Sequence, residues 1–218
     1  MSGPLGAVVL VLLAYLIGAI PFGVLAGRLA KGIDLRRHGS QRTGATNALR
    51  TIGLRWAAAV FVLDVSKGVA AILLARALYL AGPPGFAEWA VAACGVAAVV
   101  GHNWSVFIGF GGGRGVATSA GGLLAISPLT LVAVVPLVAL VVWRTRFVSL
   151  GSLTAATAAP LITAALAATA VVGWSAVAYA LVAGILVAVS HGDNVSRLRS
   201  GTERRIGERE VVHSNGGG

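Results

Sequence analysis

Four polar stretches interrupt an otherwise apolar chain, and their residue types suit the binding of small anions. The first is His38-Gly39-Ser40-Gln41-Arg42-Thr43-Gly44-Ala45-Thr46-Asn47-Ala48-Leu49-Arg50. It can offer glycine backbone N–H groups, three hydroxyls, an asparagine and two arginines to one small anion such as a phosphoryl group. The second contains Gly111-Gly112-Gly113-Arg114-Gly115, directly before an apolar segment. Consecutive glycines before a helix N-terminus let N–H groups converge on an anion, and the helix dipole and Arg114 add charge. A flexible hinge is the competing reading of the same glycines. His102-Asn103-Trp104 lies just upstream. A lone His and Trp at a membrane boundary suit interfacial anchoring, and His102 suits a site role equally well. The third stretch, Arg144–Ser152, pairs cations with Ser149 and Ser152. The fourth runs from His191 through Asn194 to Arg205. Taken alone, these two read as a basic loop and a solvated tail. Asp64 and Lys67 stand three residues apart inside an apolar segment, the spacing of a neutralising ion pair on one helix face.

Several chemistries are excluded. There is no G-x-x-x-x-G-K-[ST], no acidic pair suited to Mg²⁺, no Cys/His metal set, no His-x4-Asp and no G-x-S-x-G. The one cysteine, Cys94, rules out a disulfide within the chain. Neither metal nor cofactor is expected. An anion pocket without a metal, general base or nucleophile points to catalysis by positioning and charge.

The elements that carry these stretches are apolar. Of 218 residues, 57% are hydrophobic and only 11% charged, where a soluble domain averages about 25% charged. Mean hydropathy is +0.88. Apolar runs of near-spanning length predict seven segments: Leu5–Leu29, Trp56–Leu80, Glu88–Phe107, Val116–Ile126, Pro128–Trp143, Leu153–Val172 and Trp174–Val189. Gly18 and Pro21 should kink the first. The first lacks a basic n-region and reads as a retained span. Ala81-Gly82-Pro83-Pro84-Gly85 is a turn. The fourth is short for a span, which suits a broken helix packed in protein.

The expected fold is therefore an all-α polytopic membrane protein with seven transmembrane helices, one short or broken. Residues 1–207 form a single domain, and 208–218 are a disordered tail. The net charge of +10 could serve nucleic acid or anionic lipid, and its placement decides. If all seven segments cross, every Lys and Arg outside Lys67 and Arg76 falls on one side, with the four polar stretches. The opposite loops carry only Glu88. The positive-inside rule makes that side cytoplasmic, with the N-terminus outside and the C-terminus inside. Membrane lipid is the partner implied, and nucleic acid is not.

In order along nearly the whole chain, the polar stretches resemble the bacterial integral-membrane glycerol-3-phosphate acyltransferases that use acyl phosphate. The resemblance rests on Ala19-Ile20-Pro21-Phe22-Gly23, Gly39-Ser40, Gly44-Ala45-Thr46-Asn47 with Arg50, and Asp64 with Lys67-Gly68. It continues through Gly101-His102, Gly112-Gly113-Arg114-Gly115-Val116-Ala117-Thr118, Arg146-Phe147 with Ser149 and Ser152, and His191, Asn194, Arg197-Leu198 and Gly201-Thr202-Glu203. It implies a seven-span enzyme of the bacterial plasma membrane, its site facing the cytoplasm. The reaction implied moves an acyl group from acyl phosphate to the sn-1 hydroxyl of glycerol 3-phosphate, and a functional link to the enzyme that makes acyl phosphate goes with it. By resemblance, Ser40, Gly44, Thr46 and Asn47 belong to a loop holding the acyl-phosphate phosphoryl group. Arg50, Arg114, Ser149, His191 and Asn194 hold glycerol 3-phosphate or complete the pocket, with Gly112, Gly113 and Ser152 binding substrate. The chain departs from the family at Gln41-Arg42, where Gly-Asn is usual, and at Arg114, where Lys is usual. A transporter or channel for an anionic solute is the alternative from another class.

Overall fold

The computed structural model describes residues 3–78 and 85–207, whose regular elements are all helices, with no strand among them. The helices are α1 (Gly3–Ala19), α2 (Phe22–Lys31), α3 (Ala45–Thr51), α4 (Leu54–Leu78), α5 (Phe86–Asn103), α6 (Val116–Ile126), α7 (Pro128–Thr145), α8 (Val148–Ala168), α9 (Trp174–Ser190) and α10 (Gly192–Arg199). The expected turn at 81–85 and the expected tail at 208–218 lie almost wholly outside the described residues.

The surface is inside out compared with a soluble bundle. Leu5, Leu161 and Val132 are 78%, 72% and 68% exposed, as suits side chains facing lipid tails rather than water. α7 buries only Thr130 and Val134 of its 18 residues and forms the periphery. α5 is the central post, buried from Ala90 through Asn103 on most of its faces. Gly18 and Gly101 let α1 and α5 cross at backbone distance: a Cβ on Gly18 would land on the Ala98 carbonyl, and one on Gly101 on that of Tyr15.

By length and composition, the segment Gly3–Lys31 and helices α4, α7 and α8 suffice to cross a membrane. α9 with α10, bent by 58°, makes a fifth. α6 has 11 residues and cannot span alone. α5 has 18, diluted by Glu88, His102 and Asn103.

Pro21 does more than kink the first segment. Lacking an N–H, it splits the segment into α1 and α2. The Ile20 carbonyl at the break accepts from Phe22 N (3.1 Å) and from Lys67 Nζ (3.2 Å). A broken helix inside a bilayer requires such substitutes. A second polar tie, Ser127 Oγ to Thr130 Oγ1 (2.7 Å) to Thr163 Oγ1 (3.1 Å), fixes the break between α6 and α7 against α8.

Candidate active site

The first polar stretch is built around Asn47. Its Nδ2 donates to the carbonyls of Arg42 (2.8 Å), Leu35 (3.0 Å) and His38 (3.1 Å), and its Oδ1 accepts from Ser40 N (3.0 Å). Asn47 is 1% exposed. Its amide is thus spent inside the loop. It folds the loop that presents Ser40, Arg42 and Thr46, and Asn47 itself borders the cavity described below. Arg36 ties the loop to the next stretch, donating through Nη1 to the Ile108 carbonyl (2.8 Å) while Asp34 grips its other edge at 2.7 Å. The hydrogen bond from Arg36 holds the Asp34 carboxyl down to about 2.

The glycine stretch is packed against the end of α5. Gly113 N donates to the His102 carbonyl (3.0 Å), and Gly112 O accepts from Thr43 N (3.5 Å). A Cβ on Gly112 would fall on the His102 carbonyl oxygen and 2.5 Å from that of Asn103. One on Gly113 would strike the His102 ring. Gly112 and Gly113 therefore form the back wall of the loop and do not line the cavity, while Arg114 reaches forward into it. Arg114 Nε donates to the Ser190 carbonyl (3.2 Å) and Nη2 to Asp193 Oδ2 (2.7 Å).

His102 is no interfacial anchor. It is buried at 6% exposure, with Nδ1 3.5 Å from Asp64 Oδ1. Asp64 in turn pairs with Lys67 at 2.9 Å, the ion pair that the spacing predicts. Asp64 and His102 border the cavity floor.

The last two stretches are a wall rather than solvated chain. Glu203 Oε1 accepts from Ser149 Oγ (2.7 Å) and Asn194 Nδ2 (2.7 Å), and Oε2 accepts from Arg197 Nε (2.9 Å). Burial acts to raise the Glu203 carboxyl, but these three bonds hold it below the usual range. Ile206 N donates to the Arg146 carbonyl, and Arg146 Nη2 donates back to the Ile206 carbonyl, both at 2.8 Å. Residues 201–207 so form a strap across the α7–α8 turn. His191, 2% exposed, places Nδ1 2.7 Å from the Val187 carbonyl. That contact requires the proton on Nδ1 and leaves Nε2 as an acceptor. Burial, reinforced by Arg114 and opposed by the Val187 bond, pushes the His191 imidazole down to about 4, so it is neutral near pH 7.

These parts enclose a cavity of about 170 Å³. Ser40, Gly44, Thr46, Asn47 and Arg50 border it from the first stretch, Arg114 from the second, and Ser149, Ser152, His191 and Asn194 from the last two. Ser152 Oγ itself donates to the Val148 carbonyl (3.0 Å). A second polar lobe of about 230 Å³ shares Ser40, Arg50, Arg114, Asn194 and Glu203 with the first. On the opposite side Phe61, Val116, Ala117, Val148 and Ser152 are common to an apolar groove of about 420 Å³ running between α6, α7, α8 and α9. Phe61 is a cavity residue that motif reasoning passed over, and Arg42 and Glu203, present in the motifs without an assigned role, also line the cavity. Among the described residues no three His, Cys, Asp or Glu side chains gather as metal ligands would.

A helical protein with a lipid-facing surface and a cationic pocket opening into an apolar groove defines a membrane-embedded binding site for anionic, chain-bearing molecules. The sequence profile of the glycerol-3-phosphate acyltransferase family matches residues 8–201. A glycerol-3-phosphate acyltransferase of Geobacter sulfurreducens is 42% identical over 93% of this chain and 98% of its own. Glycerol-3-phosphate acyltransferase 1 of Deinococcus radiodurans is 44% identical over 94% and 98%. The crystal structure of PlsY (YgiH), an integral membrane glycerol 3-phosphate acyltransferase, in its glycerol 3-phosphate form superposes with a TM-score of 0.81 at 37% identity. It covers 92% of this chain and 96% of that one. The lysophosphatidic acid form gives 0.79 at 36% identity. The chain belongs to the glycerol-3-phosphate acyltransferase family.

Proposed function

We propose that this protein transfers a fatty acyl group from acyl phosphate to the sn-1 hydroxyl of glycerol 3-phosphate, giving lysophosphatidic acid and phosphate. The observation that carries the reading is the shared rim: a cationic polar cavity meets an apolar groove at Phe61, Val116, Ala117, Val148 and Ser152. An acyl phosphate needs this junction, with its phosphoryl group among Arg and N–H donors and its chain in the groove. Two polar lobes suit two phosphorylated substrates. Their small volumes favour acyl phosphate over a donor with a nucleotide-sized head group. The reading includes seven crossings, an outside N-terminus and a site facing the cytoplasm of a bacterial plasma membrane, where the positive-inside rule puts the four basic stretches. It also places the chain beside an enzyme that makes acyl phosphate.

The chemistry then needs little beyond geometry. The glycerol hydroxyl oxygen bonds to the acyl carbonyl carbon as the carbon–oxygen bond to phosphate breaks. The departing phosphate takes the electron pair and accepts the hydroxyl proton. Arg50 and Arg114 offset the phosphate charge in a site partly closed to water. Neutral His191 accepts the hydroxyl's hydrogen bond through Nε2 and orients it. The α6 N-terminus, behind Arg114, adds its dipole toward the leaving group.

The test is purified protein in detergent with acyl phosphate and glycerol 3-phosphate, following lysophosphatidic acid and phosphate. Stoichiometric release of both supports the reading. Product from acyl coenzyme A alone refutes the donor. Solute flux in liposomes without acyl transfer replaces the enzyme by a transporter. An acyl group trapped on a serine or on Cys94 refutes direct attack.

A further inference from the structure

We infer that Asp193 is the positioning residue for Arg114, fixing the guanidinium so that its remaining edge faces the anion. The inference rests on the proposed reading that Arg114 meets a substrate phosphate. A lysine ends in one nitrogen, whereas a guanidinium carries five N–H donors in a fixed fork. Here two parts of the fork are anchored. Nε holds the Ser190 carbonyl at 3.2 Å, and Nη2 holds Asp193 Oδ2 at 2.7 Å. Among the described residues Nη1 makes no hydrogen bond, and Arg114 borders both polar lobes. The anchors come from the end of α9 and the start of α10, while Arg114 comes from the loop before α6. Without Asp193 the long side chain is held across that gap only by the Ser190 carbonyl.

Asp193 is itself fixed. Arg197, one turn along α10, donates to the same Oδ2 at 3.1 Å and braces Glu203 with its Nε at 2.9 Å. Arg114 and Arg197 together outweigh the burial that acts to raise the Asp193 carboxyl, and it stays ionised well below the usual range. The chain Arg114–Asp193–Arg197–Glu203 thereby links the glycine loop to the strap and to Ser149 and Asn194. Asp193 Oδ1 is buried without a partner, so the carboxylate commits a single oxygen to both arginines. An alternating row of charges of this kind orients a cation while removing only part of its attraction for a phosphate.

The experiment is a double-mutant cycle with Asp193→Asn, Arg114→Lys and the pair. Binding of glycerol 3-phosphate and of inorganic phosphate is measured by calorimetry, and acyl transfer is measured separately. Asp193→Asn should weaken glycerol 3-phosphate binding about tenfold, with Asp193→Glu recovering most of it. In the Arg114→Lys background, where there is no fork to orient, Asp193→Asn should change binding less than threefold. Equal losses in both backgrounds overturn the proposal, because they make Asp193 a structural or direct contact independent of the guanidinium. A loss confined to thermal stability, with affinity unchanged, also overturns it. If wild-type protein binds glycerol 3-phosphate yet transfers no acyl group, the enzyme reading fails while the cycle still decides the role of Asp193. Absence of binding to either anion overturns both.

Discussion

Replacing Gly112 with Ala tests whether the glycine loop is a fixed wall. The added Cβ falls on the His102 carbonyl oxygen and 2.5 Å from that of Asn103. Comfortable heavy-atom separation is about 3.5 Å, so relief requires about 1 Å of movement. Neither obstacle can rotate away, because both are backbone at the end of α5. His102 cannot retreat either, since Asp64 and then Lys67 stand behind it. The loop itself must shift, and Arg114 and the Thr43–Gly112 hydrogen bond shift with it. A misplacement of 1 Å in a positioned site costs on the order of 10²-fold in rate, or about 2.7 kcal/mol in the barrier. Gly112→Ala should therefore lower kcat/KM for glycerol 3-phosphate by about 100-fold in the lysophosphatidic acid release assay. Gly192→Ala is the matched control: its Cβ meets nothing within 4 Å, and activity should stay within about twofold. If Gly112→Ala retained activity within threefold of wild type, the loop would be compliant and the positioning argument wrong.

Three further outcomes follow from the same coordinates. Lys67→Met strips the partner from buried Asp64 and should cost about 3–5 kcal/mol of stability. Asp64→Asn with Lys67→Met should recover much of the resistance to thermal inactivation in detergent, and a double variant as weak as the worse single would contradict this. Ala120→Leu narrows the apolar groove, so KM for long-chain acyl phosphates should rise several-fold while shorter chains and glycerol 3-phosphate are unaffected; a uniform loss over chain lengths would remove the chain from the groove. His191 titrates near 4 in the fold, below the ordinary 6.5. Its contribution is therefore neutral above pH 6.5, and the fold loses stability as pH drops from about 6.5 toward 4, by about 3 kcal/mol in full. His191→Gln cannot titrate, so its melting midpoint should fall less than that of wild type between pH 7 and 4.5.

Local pattern carried the helices well, because apolar length is a property of a single segment. The segment expected at Pro128–Trp143 is α7, Pro128–Thr145, and the short one at Val116–Ile126 is α6 to the residue. The Asp64–Lys67 pair was equally legible, since its spacing lies within one helix turn. Failures came where meaning depends on a distant partner. The Arg197 and Glu203 tail resembles solvated chain until α8 supplies Ser149 and the glycine stretch supplies Arg114. Likewise, nothing near Asn47 reveals that its amide turns inward to four backbone groups. His102 was ambiguous for the same reason, because the carboxylate that settles its burial lies in α4.

The strap has a bearing on how the protein is made. Its Glu203 completes the pocket, and its Ile206 locks to Arg146 only after every apolar helix has left the ribosome. Synthesis proceeds at roughly 5–20 residues per second. Until residues 201–207 emerge, the helices are therefore present with the pocket wall still missing. Closure of the pocket wall in this way waits on residues 201–207, and protein halted after α9 lacks the contacts of Glu203 and Ile206.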